Sequence, residues 1–128
     1  MNLLPEFKVY EATGFTYLAR LPRHDGTAMV QSDVSSIAYS SYDTADPEEV
    51  VASGTLTVSS VLSNALVTGD DRWTKKMDST GYNFEWLVPE TIAPAGRKVY
   101  QVEIVFDMGD DPRITVPFLL RTTEIYSL

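Results

Sequence analysis

The sequence from Gly81 to Leu128 reads GYNFEWLVPETIAPAGRKVYQVEIVFDMGDDPRITVPFLLRTTEIYSL and contains three segments in which apolar and polar residues alternate. These segments cover residues 82–88, 99–106 and 114–120, and they are separated by turns rich in Gly, Pro and Asp. Alternation with a period of two is typical of strands that have one face in a core. The stretch predicts the closing strands of an immunoglobulin-like antiparallel β-sandwich.

The earlier part of the chain extends the same pattern. Short alternating runs begin near Phe7, Phe15, Ile37 and Gly54, and the total of about seven to nine strands fits an all-β sandwich. The parity is clearest over residues 100–106, because the opposite register would bury Gln101 and Glu103. The residues that we expect to face the core are Phe15, Tyr17, Ile37, Tyr39, Leu56, Val58, Phe84, Trp86, Tyr100, Val102, Ile104, Phe106 and Phe118.

Three segments have less decisive patterns. Residues 28–34 form a weaker strand candidate, and residues 60–66 fit either a strand or a segment that crosses the sandwich. Residues 44–51 are expected to form a loop with one helical turn from Pro47, because proline and acids favour the start of a helix. Pro117 lies within an alternating run, so that strand is expected to lie at an edge or to contain a bulge.

Composition limits the classes of function. A chain of 128 residues fits one domain over residues 1–128. Having no cysteine, the chain contains neither a disulfide framework nor a thiolate metal site, which suits a protein made in a reducing cytoplasm. A net charge of −8 argues against nucleic-acid wrapping, and no apolar run is long enough for a membrane span.

Few residues suggest site chemistry. Asp107, Asp110 and Asp111 offer oxygen ligands for calcium, but the same residues are ordinary in a hairpin turn, and turn chemistry is the favoured interpretation. The single histidine, His24, stands beside an Asp-Gly turn and is expected to be solvated. Glu85 and Glu103 are the nearest candidates for a glycosidase carboxylate pair, although their strand positions favour two solvated side chains. We therefore expect no cofactor and no catalysis.

Among the aromatic residues, Tyr82, Phe84 and Trp86 would line one strand face and are interpreted first as core, with sugar stacking as the second interpretation. Trp73 stands in a polar, turn-rich loop. It is the better candidate for an exposed contact with a partner or a glycan.

A family resemblance follows from four motifs. They are the turn Asp25-Gly26-Thr27, the strand around Ile37–Tyr39, the run from Gly81 to Pro89, and Gly96 followed by the strand from Tyr100 to Phe106. In this order they resemble small immunoglobulin-like structural proteins of tailed-phage virions, and they are similar to the N-terminal domain of baseplate upper proteins. The resemblance covers residues 15–126, while residues 44–78 show no family pattern.

The resemblance implies a non-enzymatic virion protein, made in the host cytoplasm, that decorates the head or sits at the neck. Its partners would be major capsid, neck or tail subunits, and it would be a homo-oligomer in the assembly. A baseplate or tail component and a carbohydrate-binding or adhesion module are the alternatives, and a small hydrolase is a third. Residues 1–6 and 122–128 are candidate docking termini. The residues that we expect at partner contacts are Leu3, Leu4, Trp73, Pro117, Ile125, Tyr126 and Leu128.

Overall fold

The computed structural model describes residues 4–75 and 77–124. Eight strands make up most of the described chain, and each of the short helices has four residues or fewer. The strands are β1 (Glu6–Tyr10), β2 (Phe15–Ala19), β3 (Ser36–Asp43), β4 (Asp46–Leu56), β5 (Leu62–Val67), β6 (Tyr82–Val88), β7 (Val99–Asp107) and β8 (Ile114–Thr123). The helical turns are α1 (Val58–Val61), α2 (Asp71–Thr74) and two 3₁₀ turns at Gln31–Asp33 and Glu90–Ile92.

The strands form two sheets that pack face to face. One sheet has five strands in the order β1-β8-β7-β3-β4, and the other has three in the order β2-β6-β5. Strands β2, β6 and β5 take the places of B, E and D in an immunoglobulin sandwich, while β3, β7 and β8 take those of C, F and G. The predicted immunoglobulin-like all-β fold is confirmed. One pairing departs from an antiparallel arrangement, since β1 runs parallel to β8.

Aromatic rings fill the space between the sheets. Tyr17 stacks on Phe118 with ring centroids 4.5 Å apart, and Phe84 meets Phe106 edge to face at 5.6 Å. All the residues predicted to face inward belong to the core or pack against it. The expected parity of β7 is correct, because its even-numbered residues are buried and its odd-numbered residues face outward.

Two local features stabilise the sandwich where a disulfide is absent. The Tyr100 hydroxyl, at the start of β7, accepts a hydrogen bond from the backbone N–H of Ala95 at 3.1 Å, the arrangement of a tyrosine corner. Trp86 on β6 packs on Tyr39 on β3 with ring centroids 4.8 Å apart. This aromatic pair joins the two sheets without a covalent link.

Two sequence-based expectations are wrong. Residues 44–51 are neither a loop nor a helical turn, because β4 begins at Asp46 and pairs with β3 through a tight turn at Thr44 and Ala45. The Asp43 side chain accepts a hydrogen bond from the Ala45 N–H at 3.0 Å and fixes that turn. Residues 28–34 are not a strand, since Gln31–Asp33 form a 3₁₀ turn in which Asp33 accepts a hydrogen bond from the Val30 N–H.

Residues 60–66, for which two interpretations were open, contain the strand β5 after the short helix α1. No helix within the part of the chain that the structure describes is long and apolar enough to cross a membrane.

Candidate functional site

Trp73 is buried, which corrects the prediction that it contacts a partner or a glycan. Only 5% of its surface is exposed, and its indole Nε1 donates a hydrogen bond to Asp78 Oδ1 at 2.9 Å. The Arg20 guanidinium lies 5.8 Å from its ring centroid, within range of a cation–π contact. Trp73 is therefore buried by tertiary contacts despite its polar sequence neighbours.

Asp78 organises the segment that leads into β6. It forms a salt bridge with Arg20 at 2.8 Å and accepts hydrogen bonds from the backbone N–H groups of Thr80 and Gly81. The hydrogen bond from Arg20, followed by the one from Trp73, holds the pKa of Asp78 well below the usual range of a carboxyl group. This carboxylate stays ionised and serves to attach the segment to β2.

A second polar cluster consists of Asp70, Arg72, Tyr82 and Glu85. Asp70 is 2.6 Å from both Arg72 Nη2 and the Tyr82 hydroxyl, which donates to it, and Arg72 Nη1 lies 3.4 Å from Glu85. Hydrogen bonds from Arg72 and then Tyr82 lower the pKa of Asp70, and partial burial next to these acids raises the pKa of Tyr82 to about 12.

The protonation states in this cluster limit its chemistry. Asp70 is ionised, Tyr82 is protonated and Arg72 is charged across the neutral range. None of the three is poised to exchange a proton near neutral pH, which general acid–base catalysis requires. The cluster joins α2 to the outer side of β6 and is best understood as a structural lock.

The two glutamates proposed as a glycosidase pair lie on opposite sides of the molecule. Glu85 points outward from the three-stranded sheet, where it meets Arg72. Glu103 belongs to the outward parity of β7 in the five-stranded sheet and accepts a hydrogen bond from Gln101. Because the core lies between them, these two carboxylates cannot flank one glycosidic bond.

The aspartates after β7 act as turn residues. Asp107 Oδ1 accepts a hydrogen bond from the Gly109 N–H at 3.0 Å, and Gly109 has a positive φ of 72°. Among residues 4–75 and 77–124, no group of three or more acidic, histidine or cysteine side chains is arranged to hold a metal ion. Asp107, Asp110 and Asp111 are not brought together as such a group, and turn chemistry stays the favoured interpretation.

His24 is exposed and joins two turns. Its Nε2 lies 2.7 Å from the carbonyl oxygen of Pro112, which brings the Asp25-Gly26 turn against the turn between β7 and β8. The histidine contacts a backbone carbonyl and serves as a surface link between loops.

Pro117 lies on the part of β8 that has a single neighbour. It is opposite Glu103 of β7, whereas β1 pairs with β8 only over Leu119–Thr123. The predicted edge position is thus correct locally, although β8 is an interior strand over its second half. A proline is tolerated there because it leaves no N–H to pair on the open side.

The terminal docking residues are placed only in part. Leu4 lies just before β1 and is half-buried. The neighbouring Pro5 carbonyl accepts a hydrogen bond from the Leu119 N–H at 2.8 Å. Leu3, Ile125, Tyr126 and Leu128 lie outside the described residues, so their partner role stays a prediction.

The structure adds a feature that the sequence interpretation missed, namely the long edge strand β4. It has eleven residues, pairs with β3 alone among the described strands, and exposes Val50 and Val51 by 53% and 36%. The β-branched pair at Val50 and Val51, continuous with the alternating run from Gly54, was the available sequence indication. Pro47 and the acids before that pair obscured it.

A groove separates the free edges of β1 and β2. It has a volume of about 480 Å³, is lined by Phe7 and Phe15 along its length, and is closed by Trp73 and Met77. Met77 is 65% exposed. The groove is mostly apolar and contains no acid–base pair.

No protein-family model, curated protein or solved structure matches this chain.

Proposed function

We propose that this protein is a non-enzymatic structural subunit of a tailed-phage virion that docks on other virion subunits, as a head decoration protein or a neck protein. The observation that carries the proposal is the open five-stranded sheet of an immunoglobulin-like sandwich, which exposes its outer face and ends at β4, a strand with one strand neighbour among the described residues. Such a sheet gives a protein partner a broad surface and an unpaired strand edge.

The side chains on the outer face support docking. Ala38, Ser53, Thr55 and Thr115 are exposed and small, so a partner surface can approach the backbone closely. The outer face has two polar depressions of about 420 and 400 Å³, one lined by Tyr42, Gln101 and Glu103 and the other by Ala38, Asp107 and Arg113. The hydrogen bonds of the polar clusters at Asp70 and Asp78 stabilise the fold.

Charge supports a position on the outside of a particle. The chain carries a net charge of −8, which keeps it soluble at the high local concentration of a regular array. A baseplate or tail position would use the same docking surface, and separating these locations requires the particles themselves.

The proposal is tested with heads, necks and tails purified from a phage that carries this gene. Recombinant protein is mixed with heads that lack it and sedimented, with tails and baseplates in parallel tubes. Saturable co-sedimentation with heads or necks is expected. The absence of binding to every particle, or a gene that lies away from virion genes, would refute the proposal.

Two substitutions identify the docking face. Ala38→Arg places a long cation on the outer face of the five-stranded sheet and is expected to weaken co-sedimentation. Leu87→Arg is the matched control, since Leu87 is 73% exposed on the outer face of the other sheet. Equal binding by both variants would show that the docking site does not lie on the five-stranded sheet.

A further inference from the structure

The two halves of β4 differ in their ability to pair with another strand. The first half contains Pro47, Glu48 and Glu49, while the second half, Val50–Leu56, has the sequence VASGTL after Val50 and carries neither a charge nor a proline. Proline and charged residues on an edge strand prevent pairing with other chains. The second half of this edge carries neither of these protections.

The second half is also regular from Ala52 to Leu56. Ala52–Leu56 pair with Ile37–Ser41 in one uninterrupted register, while the shift between Ser41 and Tyr42 leaves Val51 without a partner on β3. Ser53 and Thr55 are exposed on the outer face of the sheet. A strand of this regularity offers alternate N–H and C=O groups to a new neighbour.

We propose that the Val50–Leu56 edge pairs with the same edge of a second copy, antiparallel about a twofold axis at Ser53, so that the two five-stranded sheets become continuous. In this register Ser53 lies opposite Ser53 of the other copy. Ala52 lies opposite Gly54, and Val51 lies opposite Thr55. These opposed side chains are small or β-branched, which suits cross-strand packing, and Val50 lies opposite Leu56.

Charge favours an antiparallel pair over a parallel in-register pair, and the uncharged segment suits a second copy. About the Ser53 axis, Glu49 and Glu48 fall beyond the uncharged segment, opposite Thr57 and Val58, so no acid faces another acid. A parallel in-register pair would place Glu48 and Glu49 opposite themselves, and like charges directly opposite are destabilising. The uncharged segment is self-complementary, whereas a basic partner strand would gain its contacts from the acidic half.

The expected association is weak in solution. Pairing about seven residues forms about six backbone hydrogen bonds. An edge-to-edge contact buries less than the roughly 1,200 Å² that is usual for stable complexes. Dimers should therefore accumulate with rising concentration and become prominent where an assembly holds many copies side by side.

The first test uses the absence of cysteine, which makes every introduced thiol unique. In Ser53→Cys the two Cα atoms would be about 4.5–5.5 Å apart, depending on the type of pair, within the range of a disulfide. In Thr55→Cys, a matched exposed position on the same face, the two Cα atoms would be separated by about 13 Å along the strands. Under mild oxidation, Ser53→Cys should give a covalent dimer and Thr55→Cys should stay monomeric.

The second test uses charge at the twofold axis. Ser53→Glu and Ser53→Lys each place like charges opposite one another and should weaken dimerisation by about two- to fivefold. An equimolar mixture should restore it through a heterodimer, measured by sedimentation equilibrium or native mass spectrometry. Circular dichroism and the melting temperature verify that each exposed substitution leaves the fold intact.

Three results would overturn the inference. They are a monomer at all concentrations with no Ser53→Cys dimer, equal cross-linking of Ser53→Cys and Thr55→Cys, and failure of the Glu and Lys variants to combine. Binding of a basic strand through Glu48 and Glu49, with no self-association, would also overturn the inference, because the partner of β4 would then be another protein. Particle binding is measured separately, so loss of the virion proposal leaves this test intact.

Discussion

The amide of Asn83 should be worth a large part of the stability of this fold. Asn83 lies on β6, is 1% exposed, and bonds to the segment after β2. Its Oδ1 accepts a hydrogen bond from the Leu21 N–H at 2.7 Å, and its Nδ2 donates to the carbonyls of Leu21 and Met29 at 2.8 and 2.9 Å. One side chain thus holds both ends of the turn that contains Asp25 and Gly26.

The cost of Asn83→Ala follows from the groups left behind. The Leu21 carbonyl keeps a partner, because it also accepts a hydrogen bond from the Met29 N–H. The Leu21 N–H and the Met29 carbonyl lose theirs in a buried setting, at about 1–3 kcal/mol each. We expect the free energy of unfolding to fall by about 3 kcal/mol, a substantial share of the roughly 5–15 kcal/mol typical of a domain.

Asn83→Asp sharpens the expectation. The carboxylate still accepts from the Leu21 N–H, but its second oxygen replaces a donor and faces the Met29 carbonyl. Near neutral pH this variant should be destabilised at least as much as Asn83→Ala, since a buried charge meets an acceptor.

The assay is urea unfolding followed by tryptophan fluorescence, with Trp73 and Trp86 both buried in the folded state. Asn64→Ala is the control, because Asn64 is an exposed asparagine whose Oδ1 accepts one hydrogen bond, from the Gln31 N–H. The control should change stability by no more than about 0.5–1 kcal/mol. An Asn83→Ala cost below about 1 kcal/mol, or one equal to that of the control, would refute the reasoning.

Four further outcomes are expected. Hydrogen bonds lower the pKa values of Asp70 and Asp78 in the folded state, so these two carboxylates stabilise the fold above the ordinary carboxyl pKa of about 4, and that stability is lost as the pH falls below it. Urea unfolding midpoints should therefore decrease from pH 7 to pH 2. Asp78→Asn should make the midpoint depend less on pH. Gly81→Ala should lower the free energy of unfolding by about 3 kcal/mol or more, because φ is +100° and a Cβ would collide with the carbonyl oxygen at the end of β5. Gly26→Ala has a φ of +89° but open space around the Cβ, and it should lower the free energy of unfolding by about 1 kcal/mol. Thermal unfolding measures both variants. Sugars should leave the fluorescence of Trp73 unquenched, and a sugar-dependent change that Trp73→Phe removes would restore the glycan hypothesis. Calcium and chelator should leave the melting temperature unchanged, and a drop with chelator would restore a metal site at the turn after β7.

The fold could be predicted where a single register was acceptable. In β7, the alternation of Tyr100, Val102 and Ile104 with Gln101 and Glu103 leaves one face that can be buried without placing a carboxylate in the core. The inward residues there follow from local sequence alone. The pairing of β1 with β8 cannot be predicted from local sequence, because nothing near Glu6 specifies a partner so distant in the chain.

Edge strands and loops look alike in sequence. Pro47, Glu48 and Glu49 are typical of a loop or a helix start, yet all three lie in β4, where one side of the strand faces solvent. An edge tolerates these residues for the same reason that a loop does, since their polar groups stay hydrated. The turn at Thr44 and Ala45, fixed by Asp43, decides between the two.

Trp73 shows why site residues were harder to predict than core residues. Its sequence neighbours are polar, so exposure was the natural expectation. Burial depends on Arg20, which lies far away in the sequence and supplies both the ring contact and a partner for Asp78. Such a pocket is assembled by tertiary contacts and leaves no local pattern.

The parallel pairing of β1 with β8 has a consequence for the order of folding. Glu6 meets Leu119 and Tyr10 meets Thr123, so these contacts close a loop of nearly the whole chain. Closing such a long loop costs chain entropy before the contacts can stabilise the fold, and contacts of this range therefore slow folding. During synthesis on the ribosome, β1 emerges early but cannot pair until β8 has emerged. Phe7 and Val9 therefore stay exposed to solvent until then. Release of a nascent chain before β8 would therefore yield a species prone to aggregate.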